Sequence, residues 1–377
     1  NNYYSIIQGD SSMKKLGFGC MRLPQKDNRI DMDTFTQMVD DFMKKGFTYF
    51  DTSYVYHNGD SEKALREVLV NRYPRDSFTI TTKSPVFMIG SREQFRDIFN
   101  VQLERLGTDF VDYYWLHAVN RDGYEKIQKL DLVSALTELK NEGKTRHIGI
   151  SYHDSPELLD QILTDHPELE YVQLQLNYFD WDSPYVASGA CYEVCKKHGK
   201  PVVVMEPIKG GALINLPDNL KTDLEQARPD MDMAEWAIRY TASPDYVFMV
   251  LSGMSDMAQM EDNTSFMKDF RPLDDEESAL ITKTAASMRS DMAYDPKDFV
   301  EAEKVCPKNI GIVKIVEMLD DHKKMNGFTN TCVYYDTFLG EAGKAKDCDA
   351  CGKCLPVANG NDVVSILKEA DDTITHF

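Results

Sequence analysis

Eight short apolar runs, separated by stretches of helical period, constrain this chain's fold more than any other feature. The runs are Leu16–Leu23, Tyr49–Ser53, Phe78–Lys83, Asp112–His117, His147–Ser151, Val172–Asn177, Val202–Glu206 and Val247–Ser252. They are rich in β-branched and aromatic residues and unbroken rather than alternating, the pattern of parallel strands covered on both faces. Between them Met32–Lys45, Ser61–Val70, Arg92–Leu106, Leu132–Glu142, Pro156–Leu163, Tyr185–Lys197, Met231–Tyr240 and Met257–Phe266 carry apolar residues at helical spacing. Eight strand–helix pairs in succession predict the α/β class and a closed (β/α)8 TIM barrel rather than an open, doubly wound sheet. No G-x-G-x-x-G follows the first run, which counts against a Rossmann domain.

With 377 residues the chain is long enough for a barrel of roughly 250 residues and something smaller. Residues 1–290 are assigned to the barrel and 291–377 to a second unit, because strand–helix alternation stops beyond Asp291. Arg271–Arg289 reads as one or two helices closing the barrel, and residues 1–14 as a hairpin turning at Gly9-Asp10. A hydrophobic content of 42% supplies a packed core, yet no run of 18 apolar residues exists, so no membrane span is expected. No apolar leader-like run is visible, and the expected location is cytoplasmic. Sixty-two acidic against 42 basic residues give a formal charge of −20, which argues against nucleic acid and anionic membranes as partners. That charge says little about a small-molecule substrate.

In a barrel of this kind the active site sits at the C-terminal ends of the strands. The polar residues there include Asp51 and Tyr56 after the second run, Lys83 ending the third and His117 ending the fourth. Taken one at a time these have ordinary readings: a helix cap, a paired surface charge, a core histidine. Together they form a proton-donating set. A phenol holds its proton at neutral pH, an ammonium beside it eases donation, a carboxylate fixes the ammonium, and an imidazole orients the acceptor.

These stretches resemble the aldo/keto reductase family over about residues 14–290. The matching segments are Gly17–Pro24 (GFGCMRLP), Phe50–Tyr56 (FDTSYVY), Thr82-Lys83, Trp115–His117 (WLH) and Ile148–Ser151 (IGIS). The resemblance implies reduction of an aldehyde or ketone by hydride from NAD(P)H, with Tyr56 as general acid, Lys83 and Asp51 tuning it, and His117 orienting the carbonyl. His57 stands where the family usually has glycine and is expected to narrow the substrate mouth.

Similarity to the family assigns Ser151 and Gln173 to the nicotinamide carboxamide. It places Met205, just before Glu206 and Pro207, where many members stack an aromatic ring on nicotinamide. The loop Ile208–Gly211, with Lys209, Gly210 and Gly211, suits a pyrophosphate, although a two-glycine loop is also an ordinary turn. Ser252, Gly253 and Met254, with Gln259 and Asn263, correspond to the adenosine end. Many phosphate-preferring members have a lysine and an arginine in this last loop. Here Gly253 and Gln259 occupy those places, with Asp256 between them, so the expected cofactor is NADH rather than NADPH. The substrate loops are expected at Val86–Ile89, Val119–Tyr124 and after Asn177. Trp115, Tyr54 and Trp181 are either pocket wall or core.

Eight cysteines without an export signal argue against a disulfide framework. Cys348-Asp-Ala-Cys351-Gly-Lys-Cys354 is a C-x2-C-x2-C run, and Cys306-Pro307 has the pairing that closes such runs. Residues 292–370 resemble the ferredoxin-like tail that a subgroup of aldo/keto reductases carries, with two such runs. The positions that a second cluster would need hold Pro296, Phe299, Ala302 and Ala358 instead. The fourth cysteine of each run ligates the other cluster in two-cluster ferredoxins, so Cys306, Cys348, Cys351 and Cys354 are the complete set for one [4Fe–4S] cluster. Zinc on the same thiolates, or free thiols, are the alternatives. Such a cluster would staple a small domain or, as a competing function, make the chain a nicotinamide-binding electron-transfer or sensor protein that works with a redox partner protein. Cys191 and Cys195, four apart on a predicted helix, read as packing, Cys20 as core, and Cys332 has no partner at motif spacing.

Overall fold

The computed structural model describes residues 13–325 and 331–375; the expected hairpin at Gly9-Asp10 lies outside them. Eight parallel strands close into a barrel: β1 (Leu16–Gly19), β2 (Tyr49–Asp51), β3 (Thr79–Ser84), β4 (Val111–Val119), β5 (Thr145–Tyr152), β6 (Tyr171–Gln175), β7 (Val202–Met205) and β8 (Val247–Ser252). Each pairs with its sequence neighbours and β1 pairs with β8, which leaves the barrel sheet without an edge. The registers bring Lys83 beside Trp115 and Ser151 beside Gln173, so chemically useful residues end at one rim.

Large side chains fill the barrel interior. Tyr49, Tyr113, Trp115, Tyr171, Phe248, Met249 and Leu251 form one buried cluster, with the Tyr113 and Tyr171 rings edge-on at 5.4 Å. Trp115 is therefore core and not pocket wall. Gly149 is required here by space alone: a Cβ would lie 2.3 Å from the Tyr171 carbonyl oxygen and 2.9 Å from the Trp115 ring.

The outer helices are α1 (Met32–Lys44), α2 (Asp60–Leu65), α3 (Arg92–Leu106), α4 (Arg121–Leu130), α5 (Leu132–Asn141), α6 (Pro156–Asp165), α7 (Ser188–Lys197), α8 (Asp218–Ala227), α9 (Met233–Ala242), α10 (Met257–Met267) and α11 (Asp275–Ser290). Asp31, Ser91, Asn120, Ser155, Asp232, Asp256 and Asp274 accept backbone N–H bonds at their starts, which stops each strand–helix loop cleanly. Two of these helices fall where the sequence pattern gave none. Residues Val119–Tyr124, read as a substrate loop, run into α4 on the Asn120 cap, and α8 occupies a stretch poor in apolar residues. Within Arg271–Arg289 there is one helix, α11, which begins at Asp275.

Beyond α11 the chain is helical: α12 (Val300–Lys304), α13 (Ile312–Lys324), α14 (Thr331–Leu339) and α15 (Val363–Ile374). They enclose their own core, including Phe299, Ile315, Leu319, Tyr335 and Leu367. Tyr185 and Val186, from the segment after β6, belong to that core. The C-terminal module thus packs against the barrel end where the strands finish. No described helix is long and apolar enough to cross a membrane.

Candidate active site

Of the four residues expected to handle the proton, Lys83 touches both Asp51 and Tyr56. Lys83, in β3, is fully buried, and its Nζ donates to Asp51 Oδ1 at 2.6 Å, to the Thr52 carbonyl at 2.8 Å and to Tyr56 Oη at 3.3 Å. All three ammonium donors are engaged, which fixes the cation. Asp51 closes β2 and is buried, while Tyr56 opens a short turn and is half-buried. The Tyr56 ring meets the His117 ring edge-on at 5.9 Å, and His117 Nδ1 lies 3.3 Å from Ser53 Oγ. The rim therefore collects Asp51, Tyr56, Lys83 and His117 from β2, β3 and β4 and the turn after β2.

Electrostatics here differ from the sequence expectation in one respect. Burial lifts the Tyr56 phenol above its ordinary value, and the Lys83 cation pulls it down only in part. Burial likewise raises the Asp51 carboxyl against the opposing pull of Lys83. Lys83 stays above its usual value because Asp51 and Tyr56 outweigh its own desolvation. Burial, then the Lys83 charge, then His153, push His117 well down, so its imidazole is neutral at physiological pH. The site thus offers a protonated phenol, a fixed cation and a neutral imidazole.

Behind this set lies a polar layer that pattern reading missed. Gln102 on α3 donates to the Lys83 carbonyl at 3.0 Å, to Thr82 Oγ1 at 2.9 Å and to Glu62 Oε1 at 2.7 Å. Both Gln102 and Glu62 are fully buried. The available signal was a polar residue on the inward face of each amphipathic helix. His57 turns back rather than across the mouth: its Nε2 accepts from the Leu23 N–H at 3.2 Å, and its φ is +49°. That left-handed backbone explains why glycine suits the position.

The family model described as the aldo/keto reductase family matches residues 15–286. The chain belongs to the aldo/keto reductase family. It is an NAD(P)H-dependent oxidoreductase. An uncharacterised oxidoreductase of Bacillus subtilis is 23% identical over 305 residues, covering 73% of this chain and 94% of that protein. L-galactose dehydrogenase of Arabidopsis thaliana is 25% identical over 287 residues, 70% of this chain and 88% of that enzyme. The holo form of an aldo-keto reductase from Bacillus halodurans superposes with a TM-score of 0.60 at 26% identity, covering 72% of this chain and 91% of that one.

Of the residues that the sequence assigns to the cofactor of this reductase, Ser151, Gln173 and Met205 lie on the neighbouring strands β5, β6 and β7. Ser151 Oγ accepts from the Ala118 N–H at 2.8 Å, and Gln173 Nε2 lies 3.5 Å from Met205 Sδ. Gln173 Oε1 is buried without a donor among the described residues. Ser252 Oγ donates to Asn263 Oδ1 at 2.6 Å, the Gln259 side chain accepts from the Ser255 N–H at 2.8 Å, and Met254 is buried between them in sequence. Gly253 lies against Arg22, whose guanidinium pairs with Glu206 at 2.9 Å.

The loop after Pro207 is arranged differently from expectation. Lys209 is buried with its Nζ 2.7 Å from Asp180 Oδ1, so its charge points inward rather than to a phosphate. Asp180 also accepts from Gln175 and Asn177. The Gly210 N–H is taken by Glu206 Oε2 at 2.9 Å, while Gly211, at φ +91°, faces open space.

In the C-terminal module, Cys306, Cys348, Cys351 and Cys354 line one narrow pocket together with Pro307, Ile310 and Leu367. Burial raises the Cys354 thiol, and the neighbouring Cys348, Cys306 and Cys351 raise it further. Among the described residues, no group of three or more His, Cys, Asp and Glu side chains stands at metal-ion spacing. Cys191 and Cys195 are buried in the barrel's outer core and Cys20 is buried beside β1.

Proposed function

We propose that this enzyme reduces an aldehyde or ketone to an alcohol, with Tyr56 as general acid. The observation that carries the reading is the Lys83 ammonium, held by buried Asp51 and 3.3 Å from Tyr56 Oη. NAD(P)H, when bound, supplies the hydride that adds to the carbonyl carbon. Tyr56 hands its proton to the carbonyl oxygen, and the Lys83 cation stabilises the phenolate left behind. Neutral His117, edge-on to Tyr56, orients the oxygen toward the phenol. Ser151 and Gln173 would hold the carboxamide. The orphaned Gln173 Oε1 fits an amide donor, since a buried acceptor without a partner is costly. Met205, Pro207, Gly210, Gly211, Ser252, Gly253, Met254, Gln259 and Asn263 complete the proposed cofactor path, whereas Lys209, tied to Asp180, supports the loop rather than the phosphate. NADH is the favoured cofactor, because Arg22 at Gly253 is already paired with Glu206.

The test is NAD(P)H consumption with a panel of small aldehydes and ketones. Turnover is expected in the parent and a loss of about 10²–10⁴-fold in Tyr56→Phe, the range for a missing general acid. Equal rates in the two would overturn the assignment.

For the C-terminal module the reading is one [4Fe–4S] cluster on Cys306, Cys348, Cys351 and Cys354, in a ferredoxin-like unit. Two observations support it. All four cysteines line one pocket. Phe299, Ala302 and Ala358, at the positions a second cluster would need, are fully buried in the module's apolar core. Zinc on the same four thiolates is the alternative, and iron and sulfide content tells the two apart. A structural role fits a small module whose core needs a staple. The names of the relatives are those of oxidoreductases and dehydrogenases and lend nothing to electron transfer with a protein partner.

A further inference from the structure

His153 and Tyr334 join the C-terminal module to the rim of the barrel. His153 stands one residue beyond β5, two after Ser151, and its N–H donates to the Val119 carbonyl at the end of β4 at 2.9 Å. That strand end also carries His117, followed by Ala118 at φ +54°, whose N–H donates to Ser151 Oγ. The ends of β4 and β5 are thus laced together by two hydrogen bonds, and His117 and His153 flank the lacing. His153 Nδ1 lies 3.1 Å from Tyr334 Oη, and the two rings meet edge-on at 5.5 Å. Both side chains are buried, so the bond is shielded from water. Tyr334 belongs to α14, whose next residue, Tyr335, accepts from the Ala345 N–H at 2.9 Å. Ala345 opens the turn that ends at Cys348. One short helix therefore grips the catalytic rim with one tyrosine and the cysteine turn with the next.

We infer that Tyr334 is a positioning residue for the carbonyl end of the active site, acting through His153 on the strand end that carries His117. The inference rests on the proposed carbonyl reduction at Tyr56, and it makes the module a working wall of the barrel. Losing one buried hydrogen bond shifts an equilibrium by about 0.5–1.5 kcal/mol, so the effect sought is about two- to tenfold. Ser151, a proposed carboxamide contact, shares the laced strand end, so NADH binding should weaken less than carbonyl turnover rather than stay fixed.

The experiment compares Tyr334→Phe, His153→Asn and the parent, with Tyr294→Phe as a hydroxyl deletion elsewhere in the module. Tyr334→Phe and His153→Asn should each raise KM for the carbonyl or lower kcat by about two- to tenfold, with a smaller change in the NADH dissociation constant. Tyr294→Phe should match the parent. Parent-like carbonyl kinetics in both Tyr334→Phe and His153→Asn would overturn the inference, as would an equal weakening of NADH binding. A parent without carbonyl turnover would instead refute the proposed function. Imidazole nitrogen NMR then decides separately: Tyr334→Phe should move the resonances of both His153 and His117, and movement of His153 alone overturns the inference.

Discussion

Lys83 and Asp51 form an ion pair of 2.6 Å with both side chains buried, and Asp51 Oδ2 has no hydrogen-bond partner among the described residues. The pair is therefore asymmetric. Lys83 has two further acceptors, whereas Asp51 depends on Lys83 alone for charge compensation. Lys83→Met should cost about 3–5 kcal/mol, the price of an uncompensated buried charge. Adding Asp51→Asn should recover most of that stability without recovering activity. Urea unfolding of the three proteins measures this, and a fully stable Lys83→Met would show that the pair contributes nothing.

The two rim histidines set a pH dependence. Burial lowers His153 to about 4 and, with Lys83 and His153, holds His117 well below its ordinary value. Both are more basic in the unfolded chain, near 6.5, so the unfolded state takes up protons first on acidification. Stability is full above that pH and is lost as pH falls toward 4, by at most about 1.4 kcal/mol per unit for each histidine. Urea midpoints across this window should fall with acid, and His153→Asn should flatten the slope. A slope unchanged by that substitution would remove His153 from the account.

The proposed preference for NADH rests on Arg22 and Glu206, paired at 2.9 Å beside Gly253. A 2′-phosphate would have to draw Arg22 from a carboxylate that would itself repel the dianion. NADH should therefore show the lower KM. Glu206→Gln should move the ratio of the two Michaelis constants toward NADPH by up to about tenfold, equivalent to 1.4 kcal/mol. A parent that favours NADPH would refute the preference.

Protein purified without oxygen should hold about four iron and four sulfide per chain, with visible charge-transfer absorbance. Cys351→Ser, at the most exposed of the four positions, should lose that absorbance and lower the unfolding midpoint. Zinc without sulfide in the parent would overturn the cluster.

All eight barrel strands were legible because each is a buried run whose identity is fixed by a few adjacent residues. The proton-handling set was legible for the same reason: Asp51, Lys83 and His117 end strands, and strand ends in a closed barrel share one rim. The C-x2-C-x2-C run carries its spacing in the chain itself. α4 was missed because its first turn holds Gly123 and its start rests on one side-chain cap. Partners from distant elements were not legible either. Nothing near Lys209 states that it meets Asp180, nothing near Lys83 announces Gln102, and nothing near His153 foretells a tyrosine 181 residues later. Periodicity and spacing are properties of neighbours along the chain, and they determined the barrel and which polar residues share its rim. Which charge neutralises which, and which module closes the rim, is decided only when separately formed elements pack and each buried polar group must find a partner.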